Sequence, residues 1–195
     1  MKNKILFTLS AAILALSTLS CSHKEVKKAD AGNLSDLPAW VLDPSVAEGV
    51  AAVGIASPST GGIKFQIPKA ELDAKANIAA TIQSEITRVT KQALRESKVN
   101  DVNDVEDFFS QASKEVVKDL PLSGVKRINI YQAKDGTLYL HMVLKNEDYS
   151  KFLQKSENSM ASRLKKSGLG RDNINKAEQA AKTAFDELEK EREKQ

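Results

Sequence analysis

The sequence predicts an α+β domain: a three-stranded sheet, made from one N-terminal strand plus a β-hairpin, packed by two helices and followed by a C-terminal helical extension. Three observations predict it. Val50–Ala56 is a short, continuous apolar run of the kind a buried strand uses. Residues 126–144 hold two runs with alternating polarity around Asp135-Gly136, the pattern of a hairpin. The long segments on either side of that hairpin carry apolar residues at spacings of three and four, which is the helical period.

The chain divides into residues 1–20, a signal peptide; 21–37, a tether; 38–148, the α+β domain; and 149–195, the helical extension. Lys2 and Lys4 precede an apolar run from Ile5 to Leu19, and small Ser20 stands before Cys21, the only cysteine in 195 residues. A basic start, an apolar stretch and a small residue before the cut make a secretory signal. The run is shorter and richer in serine than a typical spanning helix. A lone cysteine at the cut points to a bacterial lipoprotein, acylated at Cys21 and held on the membrane by its lipid. The processing site is irregular, because Thr18 and Leu19 occupy the third and second positions before Cys21, where leucine and a small residue are usual. Two other readings stand beside this one: an ordinary signal cut near Ser20 or Ser22, and an uncut N-terminal anchor. With Ser22, not aspartate, after the cysteine, the Gram-negative sorting rule points to the outer membrane.

Losing Lys2 and Lys4 lowers the 29 basic residues to 27, against 26 acidic ones, so the mature chain is nearly neutral. Such a balance gives no support for a nucleic-acid partner. With Cys21 acylated no disulfide can form, and the fold rests on its hydrophobic core. Residues 22–37 are polar and aperiodic; sixteen such residues span about 20–24 Å on average. Lys24, Lys27 and Lys28 in this stretch read as solvated charges.

The domain opens at Pro38-Ala39-Trp40-Val41, where Trp40, the single tryptophan, reads as a plug over the edge of the core. The small residues of Val50–Ala56 call for close packing against a helix. A loop over 57–67 follows, and its Gly61-Gly62 pair lacks the spacing of a phosphate loop. Pro68 opens the longest helix, 69–97, whose apolar face is Leu72, Ala76, Ala79, Ile82, Ile86, Val89 and Ala93. The second helix, 104–120, presents Val105, Phe108, Phe109, Ala112, Val116 and Leu120, with Asn103 and Glu106 at capping-box spacing. Both helices are expected on the aliphatic face of the sheet.

The hairpin register follows from its pattern. Leu138, Leu140, Met142 and Leu144 share one face of the second strand. A two-residue turn would put Ile128 and Ile130 on the wrong face; a three-residue turn with a left-handed Gly136 sets Ile130 opposite Leu140 and Ile128 opposite Met142. Tyr131 then faces Tyr139 and Asn129 faces His141 on the other side. Beyond it, Tyr149, Phe152, Leu153, Met160 and Leu164 mark one helix. Ile174, Ala177, Ala181, Ala184 and Leu188 mark a last one, read either as a surface helix or as a partner-binding coil.

The chemistry-bearing residues are sparse. Neither His23 nor His141 belongs to a metal-ligand spacing, and the acidic run Asp101, Asp104, Glu106, Asp107 lacks the calcium-loop pattern. No serine lies in a nucleophile-elbow motif. The sequence thus predicts no enzyme, no catalytic, metal or cofactor-binding residue, and no cofactor. The Tyr131–Tyr139 pair is the candidate partner surface, the alternative being that the C-terminal helix covers it.

Pro38-Ala39-Trp40-Val41, Val53-Gly54-Ile55-Ala56-Ser57, the helix carrying Ala70, Ala74, Ala76, Ala79 and Ala80, and the hairpin Asp135-Gly136-Thr137-Leu138-Tyr139 follow in order behind the cysteine. Over about residues 38–145 the chain resembles the LPP-twenty lipoprotein family, small secreted bacterial lipoproteins of which some are associated with the flagellum. It departs from that family in its processing site, in the loop at 57–67 and in the helices after 150. The resemblance implies a compact α+β domain and carries over no catalytic residue. The expected function is that of a lipid-anchored envelope lipoprotein serving as a structural, assembly or binding module, with the membrane and a protein partner or second copy as its contacts. The alternatives are a periplasmic regulator docking onto a cell-wall synthesis enzyme and, third, a hydrolase.

Overall fold

A 34-residue helix organises the molecule. In a computed structural model, which describes residues 34–96 and 102–194, that helix, α2, runs Ile63–Glu96, about 51 Å at 1.5 Å per residue. Before it come a short helical turn, α1 (Ala39–Leu42), and strand β1 (Gly49–Ala56). After it come α3 (Val102–Lys118), β2 (Lys126–Gln132), β3 (Leu138–Lys145), α4 (Asn146–Leu164) and α5 (Arg171–Glu193). The fold is α+β, with one antiparallel sheet in the order β1-β3-β2.

The first half of α2 lies on the sheet and its second half lies under the other helices. Gln66, Ala70, Ala74 and Ile78 are buried in the first half; Ile82, Ile86, Val89, Ala93 and Leu94 are buried in the second. β1 and β3 turn Val50, Ala52, Gly54, Ala56 and Leu138, Leu140, Met142, Leu144 toward it. A methyl on Gly54 would fall on the Ala70 carbonyl oxygen and the Ala74 amide nitrogen and sit 2.8 Å from the Ala74 methyl. Only glycine lets the helix come this near. The close packing expected from the small residues of this strand is therefore present.

Two features of α2 differ from the sequence reading. It begins at Ile63, so Pro68 lies inside it instead of opening it. The helix starts from a turn at Gly62, whose φ is +69° and whose carbonyl accepts the Phe65 and Gln66 amides. Pro68 is exposed, on the side where water can satisfy the Lys64 carbonyl it leaves unbonded. The apolar face is also rotated in the first half: Leu72 is 71% exposed and Ala76 is exposed, while Ala70, Ala74 and Ile78 take the core positions. Alanines on every side of this stretch hid the true stripe.

α3 buries Val105, Phe109, Ala112, Val116 and, just beyond its end, Leu120, as expected. It packs chiefly on α2 and also on α4, not on the sheet, where α4 joins α2. Its bounds, Val102–Lys118, place Asn103 inside the helix and not ahead of it. α4 buries Tyr149, Phe152, Leu153, Met160 and Leu164. α5 buries Ala177, Ala180, Ala181, Ala184, Phe185 and Leu188 against α2 and α4, in the core cluster that also contains Val50 and Met142. The last helix is neither a surface helix nor a free coil, and residues from 35 onward form one compact unit.

The hairpin has the expected three-residue turn. Gly136 has φ +84°, its amide donates to the Ala133 carbonyl, and the Ala133 amide donates to the Thr137 carbonyl at 2.8 Å. The Thr137 amide and hydroxyl donate to Asp135 and hold its carboxyl below the usual carboxylate range. Ile130 faces Leu140, Tyr131 faces Tyr139 and Asn129 faces His141, as predicted. Ile128 does not face Met142. A bulge between Arg127 and Asn129 gives that place to Arg127, which pairs with Glu71 of α2. Nor does β2 join the core: Ile128 is 43% and Ile130 47% exposed, because α2 covers β1 and β3 but stops short of the outer strand.

Candidate functional site

The sheet face away from α2 is crossed by two rows of side chains. One row runs Tyr131, Tyr139, Ile55 over β2, β3 and β1; the next runs Asn129, His141, Val53. Antiparallel pairing places directly opposed side chains within contact, so each row forms a continuous strip.

The His141 row is closed by the segment leading into β1. The Trp40 ring stacks on the His141 imidazole, nearly parallel at 5.3 Å between centroids. The ring nitrogens are both engaged: Nε2 donates to the Pro44 carbonyl at 2.8 Å and Nδ1 accepts from Asn129 Nδ2 at 3.1 Å. The carbonyl can only accept, which assigns the ring proton to Nε2. His141 is 2% exposed and offers neither a free lone pair nor a free proton to a substrate. It positions the strap, and Trp40 covers the sheet's back face instead of the edge of the core where the sequence placed it. The strap is also tied at its end, where Asn146 Nδ2 donates to the Ala47 carbonyl and the Asn146 amide to the Glu48 carbonyl.

The Tyr131 row stays half open. The two tyrosine rings lie 6.2 Å apart, tilted by 38°. The Tyr131 hydroxyl donates to the Asp36 carbonyl at 3.2 Å, and Lys134 lies 3.6 Å from the Asp36 carboxylate. Ile55 beside Tyr139 is 50% exposed. What partly covers this pair is the N-terminal strap, since α5 packs on α2 and α4. The sequence brought Tyr131 and Tyr139 together correctly. It missed Ile55 as their neighbour, because the order β1-β3-β2 is not written in any local pattern.

Two polar clusters escaped the sequence reading. Gln66, buried at the start of α2, shares its side-chain amide among the carbonyls of Ala56 (3.4 Å), Ser57 (3.2 Å) and Gly136 (2.8 Å). It latches the end of β1 to the hairpin turn. At the other end, Glu85 accepts from the Tyr149 hydroxyl at 3.1 Å and from the Arg192 guanidinium, which also lies over the Tyr149 ring at 5.5 Å. Burial, and then the Glu85 carboxylate, push the Tyr149 phenol far above its ordinary range. Arg88 pairs with Glu191 at 2.7 Å one turn away. Together they clasp the end of α5 to α2 and α4.

Cys21, the candidate lipidation site, lies outside the described residues. Among the described residues no group of three His, Cys, Asp or Glu side chains is placed to hold a metal ion, and no helix is long and apolar enough to cross a membrane. No protein-family model and no curated protein matches the chain.

Proposed function

We propose that the protein is a lipid-anchored lipoprotein of the bacterial cell envelope, held through Cys21 at the outer membrane, whose domain works as an assembly or binding module of the kind associated with flagellar or cell-wall structures. The observation that carries the reading is the position of the only cysteine, directly after Ser20 and a basic, apolar leader. One acyl chain binds a bilayer marginally; two or three make the attachment lasting. The resemblance of residues 38–145 to the LPP-twenty lipoproteins supports the same reading. So does the state of His141, whose two nitrogens serve the strap. The half-open row of Tyr131, Tyr139 and Ile55 is taken as the partner-facing surface, an amphipathic strip with two phenol groups and one exposed aliphatic side chain.

The test is metabolic palmitate labelling of the full-length protein and its Cys21→Ser variant, with membrane fractionation by density. Label on the parent, its loss from the variant and release of the variant from the outer-membrane fraction are expected. Equal labelling of both proteins overturns the anchor. Ile55→Asp and Tyr139→Ala, in the labelled parent, should leave fractionation unchanged while lowering recovery of envelope partners after cross-linking.

A further inference from the structure

The two edges of the sheet are treated differently. On β1 the Ile55 amide donates to Asp73 at 2.8 Å and the Val53 carbonyl accepts from Asn77 Nδ2 at 2.9 Å. Two α2 side chains one turn apart thus occupy main-chain groups that an incoming strand would need. On β2 nothing comparable exists: among the described residues no hydrogen bond reaches its main chain from outside the hairpin. The bond from the Ala133 amide to the Thr137 carbonyl sets the phase of the ladder. Residues 131 and 129 point their amides and carbonyls at β3, so Ile130 and Gln132 point theirs outward. The outward groups of β1 at 53 and 55 agree with this phase through the shared strand β3.

The side chains along this bare edge are also unusual. Ile128, at the bulge, and Ile130, on the α2 side of the sheet but beyond the helix's reach, are exposed, and Asn129, Tyr131 and Gln132 between and beyond them carry no charge. The charges stand at the ends. Lys126 at one end makes no ion pair with the described residues. At the other end Asp36 and Asp135 outnumber Lys134 by one. An uncharged middle with a positive and a negative end is self-complementary when two copies run antiparallel.

We propose that β2 is an association edge through which two copies of this chain pair antiparallel, about a two-fold axis near Ile130. The two Ile130 side chains then meet at the axis, and Lys126 of each lies toward the Asp135 end of the other. One seven-residue strand is a small interface, at the low end of specific contacts, below about 1,200 Å², so the pair is weak and forms with rising concentration. The proposal goes beyond the anchored-module reading and does not depend on it, because the edge is the same whether or not residue 21 carries lipid.

The test places single thiols on each edge of the full-length chain in a Cys21→Ser background, where the added cysteine is the only one. Ile130→Cys should cross-link to a dimer under mild oxidation, since opposed residues in such a pair lie about 5.5 Å apart, within disulfide reach. Ile55→Cys, equally exposed but on the occupied edge, should cross-link several-fold less. Sedimentation velocity of the unsubstituted protein in detergent should show a mass rising toward the dimer with concentration, and Ile130→Lys should hold it at the monomer with an unchanged circular dichroism spectrum. Equal cross-linking at 130 and 55, a parent that stays monomeric throughout, or a dimer that survives Ile130→Lys overturns the proposal.

Discussion

Adding one methyl group at Gly54 tests the geometry on which the whole helix–sheet contact rests. In Gly54→Ala the new carbon meets main-chain atoms of α2, the Ala70 carbonyl oxygen and the Ala74 amide nitrogen, and neither can rotate away. Ordinary contacts need about 3.5–4 Å, so the helix must withdraw by on the order of 1 Å. A gap of that size forfeits a quarter to a half of each dispersion contact, at about 0.1–0.2 kcal/mol each. With on the order of 40 contacts beneath Ala70, Ala74 and Ile78 the loss is about 1.5–3 kcal/mol. The withdrawal also stretches the bonds from Asp73 and Asn77 to β1, for about 1 kcal/mol more, partly offset by alanine's better fit to a strand. A net destabilisation of about 2–4 kcal/mol is a large share of the 5–15 kcal/mol typical of a domain. Urea denaturation followed by circular dichroism and by Trp40 fluorescence should read it as a lowered midpoint with coincident curves. A variant within about 0.5 kcal/mol of the parent would refute the argument, because it would mean that α2 does not approach the sheet closely at residue 54.

Other consequences are open to measurement. Gln66→Ala leaves the latch carbonyls without their amide and should cost about 1–3 kcal/mol in the same assay, with faster hydrogen exchange at the hairpin turn. The Tyr149 phenol is held above its unfolded value of about 10, so the folded state keeps its proton longer; that contribution is intact below pH ~10 and declines as pH rises beyond it. Stability measured from pH 8 to 11 should therefore fall less steeply in Tyr149→Phe than in the parent, and parallel curves would contradict the burial of this hydroxyl. Trp40→Ala removes the ring stacked on His141 and should increase protease cutting between residues 36 and 48 while the cooperative unfolding transition persists. A stop after residue 170 deletes α5 and uncovers the second half of α2; loss of a cooperative transition is expected, and a stable truncated protein would show that α5 is dispensable to the core.

The α+β class, the hairpin turn and most of the register could be read from the chain because they depend on local chemistry. Asp135-Gly136-Thr137 permits one economical turn, and the aliphatic stripe of β3 admits one register. The start of α2 was not legible, since Pro68 is a usual first-turn residue and the helix instead begins from Gly62. Its early face was hidden for a related reason: Leu72 is a large apolar residue in a stretch in which alanines decide the packing, and a strand with Gly54 facing the helix prefers the alanines. The place of α5 could not be inferred, because alanine at Ala177, Ala180, Ala181 and Ala184 reads as weakly hydrophobic until the tight spacing to α2 and α4 is known. For the site, Tyr131 and Tyr139 followed from the register, whereas Ile55, Gln66 and the Glu85–Arg192 clasp depend on contacts between segments far apart in sequence.

The acidic and amide side chains that reach β1 from α2 have a consequence for how many copies could ever be joined. Filament growth by strand addition requires that each unit present a donor edge and an acceptor edge. Here Asp73 takes the Ile55 amide and Asn77 the Val53 carbonyl, so an incoming strand would have to displace two α2 side chains at the second edge and none at the first. The proposed pairing through β2 would satisfy that edge after one partner, and the six-stranded sheet would end on both sides in a β1 strand guarded by these side chains. Two helix side chains that look like minor local contacts thereby disfavour growth of the sheet beyond a pair.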